Sequence, residues 1–195
     1  MGRDRSRRAD PTTVRLFVAI EIPDHARSVV REAFEPWRQR FPNARWVPSE
    51  NQHVTLRFLG ATPAALIDLA LERVAAVAVE HASPATHLSG VGAFPSTGRA
   101  RVLWTGLDDR RGEIAELARA LDAALAPEFE PETRAFRAHL TVARCEPALA
   151  LPASFSETVL ESEPFAVERL VVFRSHLQRP SPRYEAIGTV PLRSA

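Results

Sequence analysis

The sequence predicts an α+β protein made of two related lobes. Three observations lead there. Segments with strand and helix character interleave without the regular βαβ rhythm of a doubly wound sheet. The composition, 45% hydrophobic and 25% charged, is that of an ordinary globular chain. One short pattern, His-x-Thr followed by an aliphatic residue, occurs at His53 and again at His139, 86 positions apart (139 minus 53).

Each element follows from local composition. Residues 14–20 are branched and aromatic over a short span, which predicts a strand. Pro23 and Asp24 open a helix, because proline suits the first turn and an acid favours its positive end. That helix is expected to reach about residue 34, with Pro36 ending or kinking it. A short extended piece over 44–47 stops at Pro48, and 52–59 is a strand that Gly60 is expected to close. Thr62 and Pro63 predict a capped helix start, continued by the leucine, alanine and valine spacing over 64–81. Strands over 86–91 and 101–106 are joined across a turn at 92–98 marked by glycines and proline. The helix over 110–126 places Ile114, Leu117, Leu121 and Leu125 on one face. A loop over 127–133 leads to a strand over 136–144, then to a proline- and alanine-rich stretch with a helical turn or two. Strands over 168–176 and 183–192 come last, linked by the turn-prone 179–182.

The chain has 195 residues and 25 basic against 24 acidic side chains, a net charge of +1. That length suits one large domain or two small lobes sharing a core, here expected over 13–195. Disorder, collagen and coiled coil are excluded. The longest apolar run, 74–79, is far below the roughly 20 residues of a membrane-spanning helix. Residues 1–12 are basic without an apolar stretch, which predicts a flexible, solvated tail rather than a secretory signal. Cys145, the single cysteine, can form neither an internal disulfide nor a cysteine metal cage, a usage that fits a reducing cytoplasm. All the basic residues are arginine, which suits forked contacts to phosphate. A near-zero net charge argues against coating long duplex DNA, whose affinity comes from many neutralised phosphates. A short or terminal nucleic-acid ligand fits better.

Alternation along a strand puts His53 and Thr55 on one face and Val54, Leu56 and Phe58 on the other; His139 and Thr141 share a face opposite Leu140 and Val142. Each strand then buries its aliphatic side and offers an imidazole beside a hydroxyl. Two such faces turned to one groove suit cleavage of a phosphodiester. One imidazole takes a proton from the attacking oxygen and the other gives one to the leaving oxygen. The hydroxyls hydrogen-bond the non-bridging oxygens as their charge grows. Regular alternation also places Arg57 on the His53 face, and turns Arg144 away from His139 unless the strand ends or twists. Six histidines and 11 threonines in random order give about 0.3 His-x-Thr matches, so two matches, both in strand context, favour function over chance.

Beyond these motifs, the chain resembles the two-histidine phosphoesterases, most closely the bacterial and archaeal RNA 2',3'-cyclic phosphodiesterases, also called 2'-5' RNA ligases. The likeness runs through 15–20, 45–48, 50–60, 92–95, 101–104 and 139–144, and through a late serine and Tyr184. It implies a bilobal fold with two pseudo-symmetric lobes, antiparallel sheets lining a central groove and helices outside. It also implies hydrolysis of an RNA terminal 2',3'-cyclic phosphate to a 2'-phosphate, and ligation without ATP in reverse. Position by position, His53 matches the family's proton donor, His139 its proton acceptor, Thr55 and Thr141 its phosphate-holding hydroxyls, and Arg144 an arginine of the site. No metal and no cofactor are implied. The expected partner is RNA with a cyclic-phosphate end, tRNA fragments among the candidates, handled by a cytoplasmic monomer. The sequence departs from the pattern at 175–182, where a glycine-containing turn is replaced.

Three rivals are kept. The same chemistry could act on small cyclic nucleotides or ADP-ribose cyclic phosphate; a non-catalytic module could bind RNA ends; a zinc enzyme is disfavoured by the lack of His-Glu-x-x-His or a cysteine cluster. Phe17, Trp46 and Trp104 are candidates to stack on a base, Phe17 foremost. His25, His81, His87 and His176 lack the threonine partner and read as packing or surface residues.

Overall fold

The computed structural model describes residues 13–179 and 181–194; the tail expected over 1–12 lies outside them. Its strands are β1 (Thr13–Glu21), β2 (Arg45–Trp46), β3 (His53–Pro63), β4 (Ala85–Thr86), β5 (Leu88–Phe94), β6 (Ala100–Leu107), β7 (His139–Leu149), β8 (Phe165–Ala166), β9 (Arg169–His176) and β10 (Arg183–Pro191). The helices are α1 (Asp24–Arg40), α2 (Ile67–Glu80) and α3 (Glu113–Leu125). Eight strands form one antiparallel sheet in the order β10-β9-β1-β3-β7-β6-β5, with β2 paired to β7. This is the expected α+β class, but the sheet is continuous. β3 and β7 are joined by a single residue pair, Val54 with Leu140.

Helices cover the sheet with the apolar faces that their periodicity predicts. Ile114, Leu117, Leu121 and Leu125 of α3 are all buried, and α2 packs beside α3 behind β9, β10 and β3. α1 lies behind the other part of the sheet, where Phe34 meets Trp46 and Phe155 edge-on. β1 sits centrally, so Leu16 to Ile20 are buried without alternation.

Several boundaries differ from expectation, each for a physical reason. α1 continues through Pro36 to Arg40. Pro36 is exposed, so the carbonyl it leaves unbonded can turn to water, while buried Phe34 and Trp37 hold both sides of it against Phe155. Trp37 Nε1 also donates to Thr158 Oγ1 at 2.9 Å. Gly60 does not end its strand: at φ 67° it forms a bulge and β3 runs on to Pro63. Thr62 is therefore a buried strand residue rather than a helix cap, and α2 starts only at Ile67. The strand expected over 86–91 is split between β4 and β5. α3 begins at Glu113, after Gly112 at φ 72°, and the Asp109 carboxylate accepts the N–H groups of Ile114 and Ala115. β7 starts at His139, not 136.

Candidate active site

The pairing of Val54 with Leu140 organises the site. Both side chains are fully buried on the helix side. Their neighbours His53, Thr55, His139 and Thr141 therefore rise on the opposite, uncovered face around one crossing point.

Beyond each threonine the strand bulges. Val18 pairs with Arg57 and Ala19 with Thr55, leaving Leu56 as the extra residue in β3. Leu103 pairs with Ala143 and Trp104 with Thr141, leaving Val142 as the extra residue in β7. One extra residue inverts every later side chain. Arg57 therefore leaves the His53 face, contrary to regular alternation. It is 5% exposed, with Nε 2.8 Å from Asp122 Oδ1 on α3 and further donation to the carbonyls of Phe58 and Glu130. Arg144, which alternation turns away, comes back to the histidine face and is exposed there. Phe58 does the same and is 50% exposed, although alternation assigns it to the aliphatic side. The missed signal was the repeat: Phe58 and Arg144 each stand five positions after a motif histidine (58 minus 53, 144 minus 139), so they share a side.

The histidines are held alike. Nδ1 of His53 lies 2.8 Å from the carbonyl of Asn51, and Nδ1 of His139 lies 2.7 Å from the carbonyl of Arg137. A carbonyl only accepts, so each Nδ1 carries hydrogen and each Nε2 is the free nitrogen. Burial pushes the His53 pKa down to about 4, partly opposed by the Asn51 carbonyl; the charges of Arg144 and His139 lower it further. His139 is also lowered, first by burial and then by Arg137, Arg144 and Arg134. Arg144 thus acts on both rings, and it has no ion-pair partner among the described residues. The hydroxyls of Thr55 and Thr141, both half-buried, have no hydrogen-bond partner among the described residues. Among these residues no group of three or more His, Cys, Asp or Glu side chains is placed to hold a metal ion.

Aromatic rings frame each histidine. Phe17 stacks on His53 at 4.7 Å and Tyr184 meets it edge-on at 5.1 Å, with Phe173 stacked behind Phe17. Phe17 is thus covered by the site's own rings, and the exposed ring beside it is Phe58, 6.0 Å away. On the other side Phe94 meets His139 edge-on at 5.1 Å and packs on Trp104. Trp46 belongs to the helix side, with Nε1 bonded to the Phe41 carbonyl. The unusual 175–182 hairpin reaches the site through Asn51, whose side chain donates to the Pro182 carbonyl at 2.9 Å. The remaining histidines serve packing: His81 bonds the Val77 carbonyl, His87 lies between Asp108 and Glu161, His176 pairs Glu185, and His25 meets Phe165 edge-on.

A family model described as LigT like Phosphoesterase matches residues 20–104 and 107–184, which include both histidine-threonine strands. The chain belongs to the LigT-like phosphoesterase family. Among curated members of the family, a Geobacillus stearothermophilus protein named RNA 2',3'-cyclic phosphodiesterase is 30% identical over 92% of this chain. The chain spans only 57% of that protein's length. A protein of the same name from Archaeoglobus fulgidus is 33% identical over 67% of this chain and 72% of its own. The crystal structure of TT0787 of Thermus thermophilus, at 28% identity, superposes with a TM-score of 0.79 over 92% of this chain and 98% of that one. The family's α+β architecture with a large antiparallel sheet is therefore the architecture described above.

Proposed function

We propose that the protein hydrolyses the 2',3'-cyclic phosphate at an RNA end to a 2'-phosphate, with His139 as base and His53 as acid. The observation that carries this reading is the pair of imidazoles with Nδ1 tied to a carbonyl, on one face with two hydroxyls and the Arg144 guanidinium that have no hydrogen-bond or ion-pair partner among the described residues. The names of the relatives support the substrate class. Water attacks phosphorus as His139 Nε2 takes its proton, and His53 Nε2 delivers a proton to the departing 3' oxygen. Thr55, Thr141 and Arg144 hold the non-bridging oxygens, whose charge is greatest in the transition state. Run in reverse with a 5'-hydroxyl end, the same groups form a 2'-5' linkage without ATP.

The acid must be protonated, yet unliganded His53 titrates at about 4. A bound phosphate anion offsets the repulsion from Arg144 and favours the imidazolium. Substrate binding near neutral pH is therefore coupled to proton uptake. The bell for kcat/KM, which reports the free protein, lies on the acid side of 6.5, and the alkaline limb of kcat lies higher.

The test uses chelator-treated protein and an oligonucleotide with a cyclic end. The expected product gains one water and becomes sensitive to phosphatase, while His53→Ala and His139→Ala each lose about 10² to 10⁴ in rate and keep much of the binding. Binding without turnover by the unaltered protein, or turnover confined to mononucleotides or to ADP-ribose cyclic phosphate, would overturn the assignment.

A further inference from the structure

Beside His139 the uncovered face deepens into a cavity of about 440 Å³, within the size range of small-ligand sites. It lies on the far side of His139 from Phe17 and Phe58. Two of its wall residues, Trp104 and Gly106, pair with Thr141 and His139, and two others, Arg137 and Ala138, immediately precede His139.

The cavity wall carries an exposed guanidinium beside a buried indole. The Arg137 guanidinium lies 4.2 Å above the Trp104 centroid and covers that face of the buried ring, while Arg137 itself is exposed. The indole Nε1–H is buried with no hydrogen-bond partner among the described residues, and the residue is 5% exposed. Gly92 supports the ring from below, where any Cβ would overlap Trp104 Cζ2. Arg137 has no ion-pair partner among the described residues, so its charge is available to an anion. The carboxylates at the rim are already engaged, Asp108 with Arg110 at 2.8 Å and Asp109 with the first turn of α3. A base stacks on a guanidinium plane, and a phosphate pairs with the cation.

In-line displacement fixes what can sit there. With His53 as the proposed acid, the leaving 3' oxygen and its ribose belong at His53, flanked by the Phe17 cluster, and the nucleophile enters from His139. Water needs no cavity of nucleotide size. We propose that the cavity is an acceptor subsite for the 5'-hydroxyl-terminal nucleotide of a second RNA strand, with its base stacked on the outer face of the Arg137 guanidinium and its 3'-phosphate bonded to that guanidinium's edge. This assignment rests on the phosphodiesterase reading. The 5'-oxygen bonds to phosphorus as its proton passes to His139 Nε2. The bond from phosphorus to the 3' oxygen breaks as His53 Nε2 supplies that oxygen's proton. A 2'-5' diester and a 3'-hydroxyl result, and solvent returns the proton balance.

The experiment follows how a cyclic-ended oligonucleotide partitions between 2'-phosphate and 2'-5' diester as a 5'-hydroxyl dinucleotide is added. A bound acceptor makes the product ratio saturate, and Arg137→Gln and Ser89→Trp, at the exposed rim, each raise the half-saturating concentration at least tenfold. A nucleoside 3'-phosphate is expected to compete at least tenfold better than the bare nucleoside. A ratio that rises linearly without saturating, or variants that leave it unchanged, would overturn the subsite. Indole fluorescence titrated with the 5'-hydroxyl dinucleotide alone decides occupancy independently of turnover. Quenching lost in Arg137→Gln supports the subsite, and no quenching in the unaltered protein refutes it. Hydrolysis with no acceptor binding sinks only this inference, whereas no hydrolysis of cyclic-ended RNA sinks the function on which it rests.

Discussion

Arg57 is the sharpest place to test how the two motif strands are coupled. It belongs to β3, two residues after Thr55, yet it pairs with Asp122 of α3 and donates to the carbonyl of Glu130 in the segment leading to His139. Asp122 Oδ1 in turn accepts the N–H of Glu132 at 3.0 Å. Arg57→Met keeps the apolar stem but strands a carboxylate whose side chain is 30% exposed and leaves two carbonyls without their donor. Breaking a buried pair costs about 3–5 kcal/mol, and the partial exposure of Asp122 puts the expected loss near the lower end, about 3 kcal/mol. For a chain of this length that lowers Tm by roughly 6–12 °C and the urea midpoint by roughly 1–3 M. Because the 127–138 segment carries Arg137 up to His139, turnover is expected to fall even at temperatures where the variant is fully folded. Arg57→Met with Asp122→Asn removes the stranded charge and recovers part of the loss. A single variant that costs under about 1 kcal/mol, or a double variant no more stable than the single, would refute the coupling.

Three further outcomes follow. Since folded His53 titrates at about 4 against 6.5, the unfolded chain takes up the proton first as pH falls. Stability should therefore be unaffected above pH 6.5 and decline between 6.5 and 4, with His53 alone contributing roughly 3 kcal/mol, as read by urea melts; the decline shrinks in His53→Gln to what His139, also lowered, still contributes. Arg144→Gln removes a charge that lowers both histidines, so imidazole resonances followed by NMR should titrate at higher pH while turnover falls at least tenfold; unmoved titrations would place Arg144 away from the rings. Gly92→Ala drives a methyl into Trp104, which should cost about 1–3 kcal/mol and shift indole emission, and an unchanged spectrum would contradict the packing.

The chemistry was legible in eight residues. Two His-x-Thr patterns, each with buried aliphatic partners, required two imidazoles and two hydroxyls on strand faces, because side-chain direction in a strand has period two. The amphipathic helix at α3 was equally plain from its leucine spacing. Local pattern could not supply the bulges at Leu56 and Val142. A bulge arises from how two strands pair, and the partners Val18 and Leu103 lie far away in sequence. Those two insertions reversed the fates of Arg57, Phe58 and Arg144: one went inward to a helix, two went outward to the histidines. Helix α1 passed through Pro36 for a similar reason, since burial of Phe34 and Trp37 outweighs one missing hydrogen bond on a wet face. Periodicity along one chain reports which side chains want burial, while the direction in which each finally points depends on register against neighbours that only folding brings together.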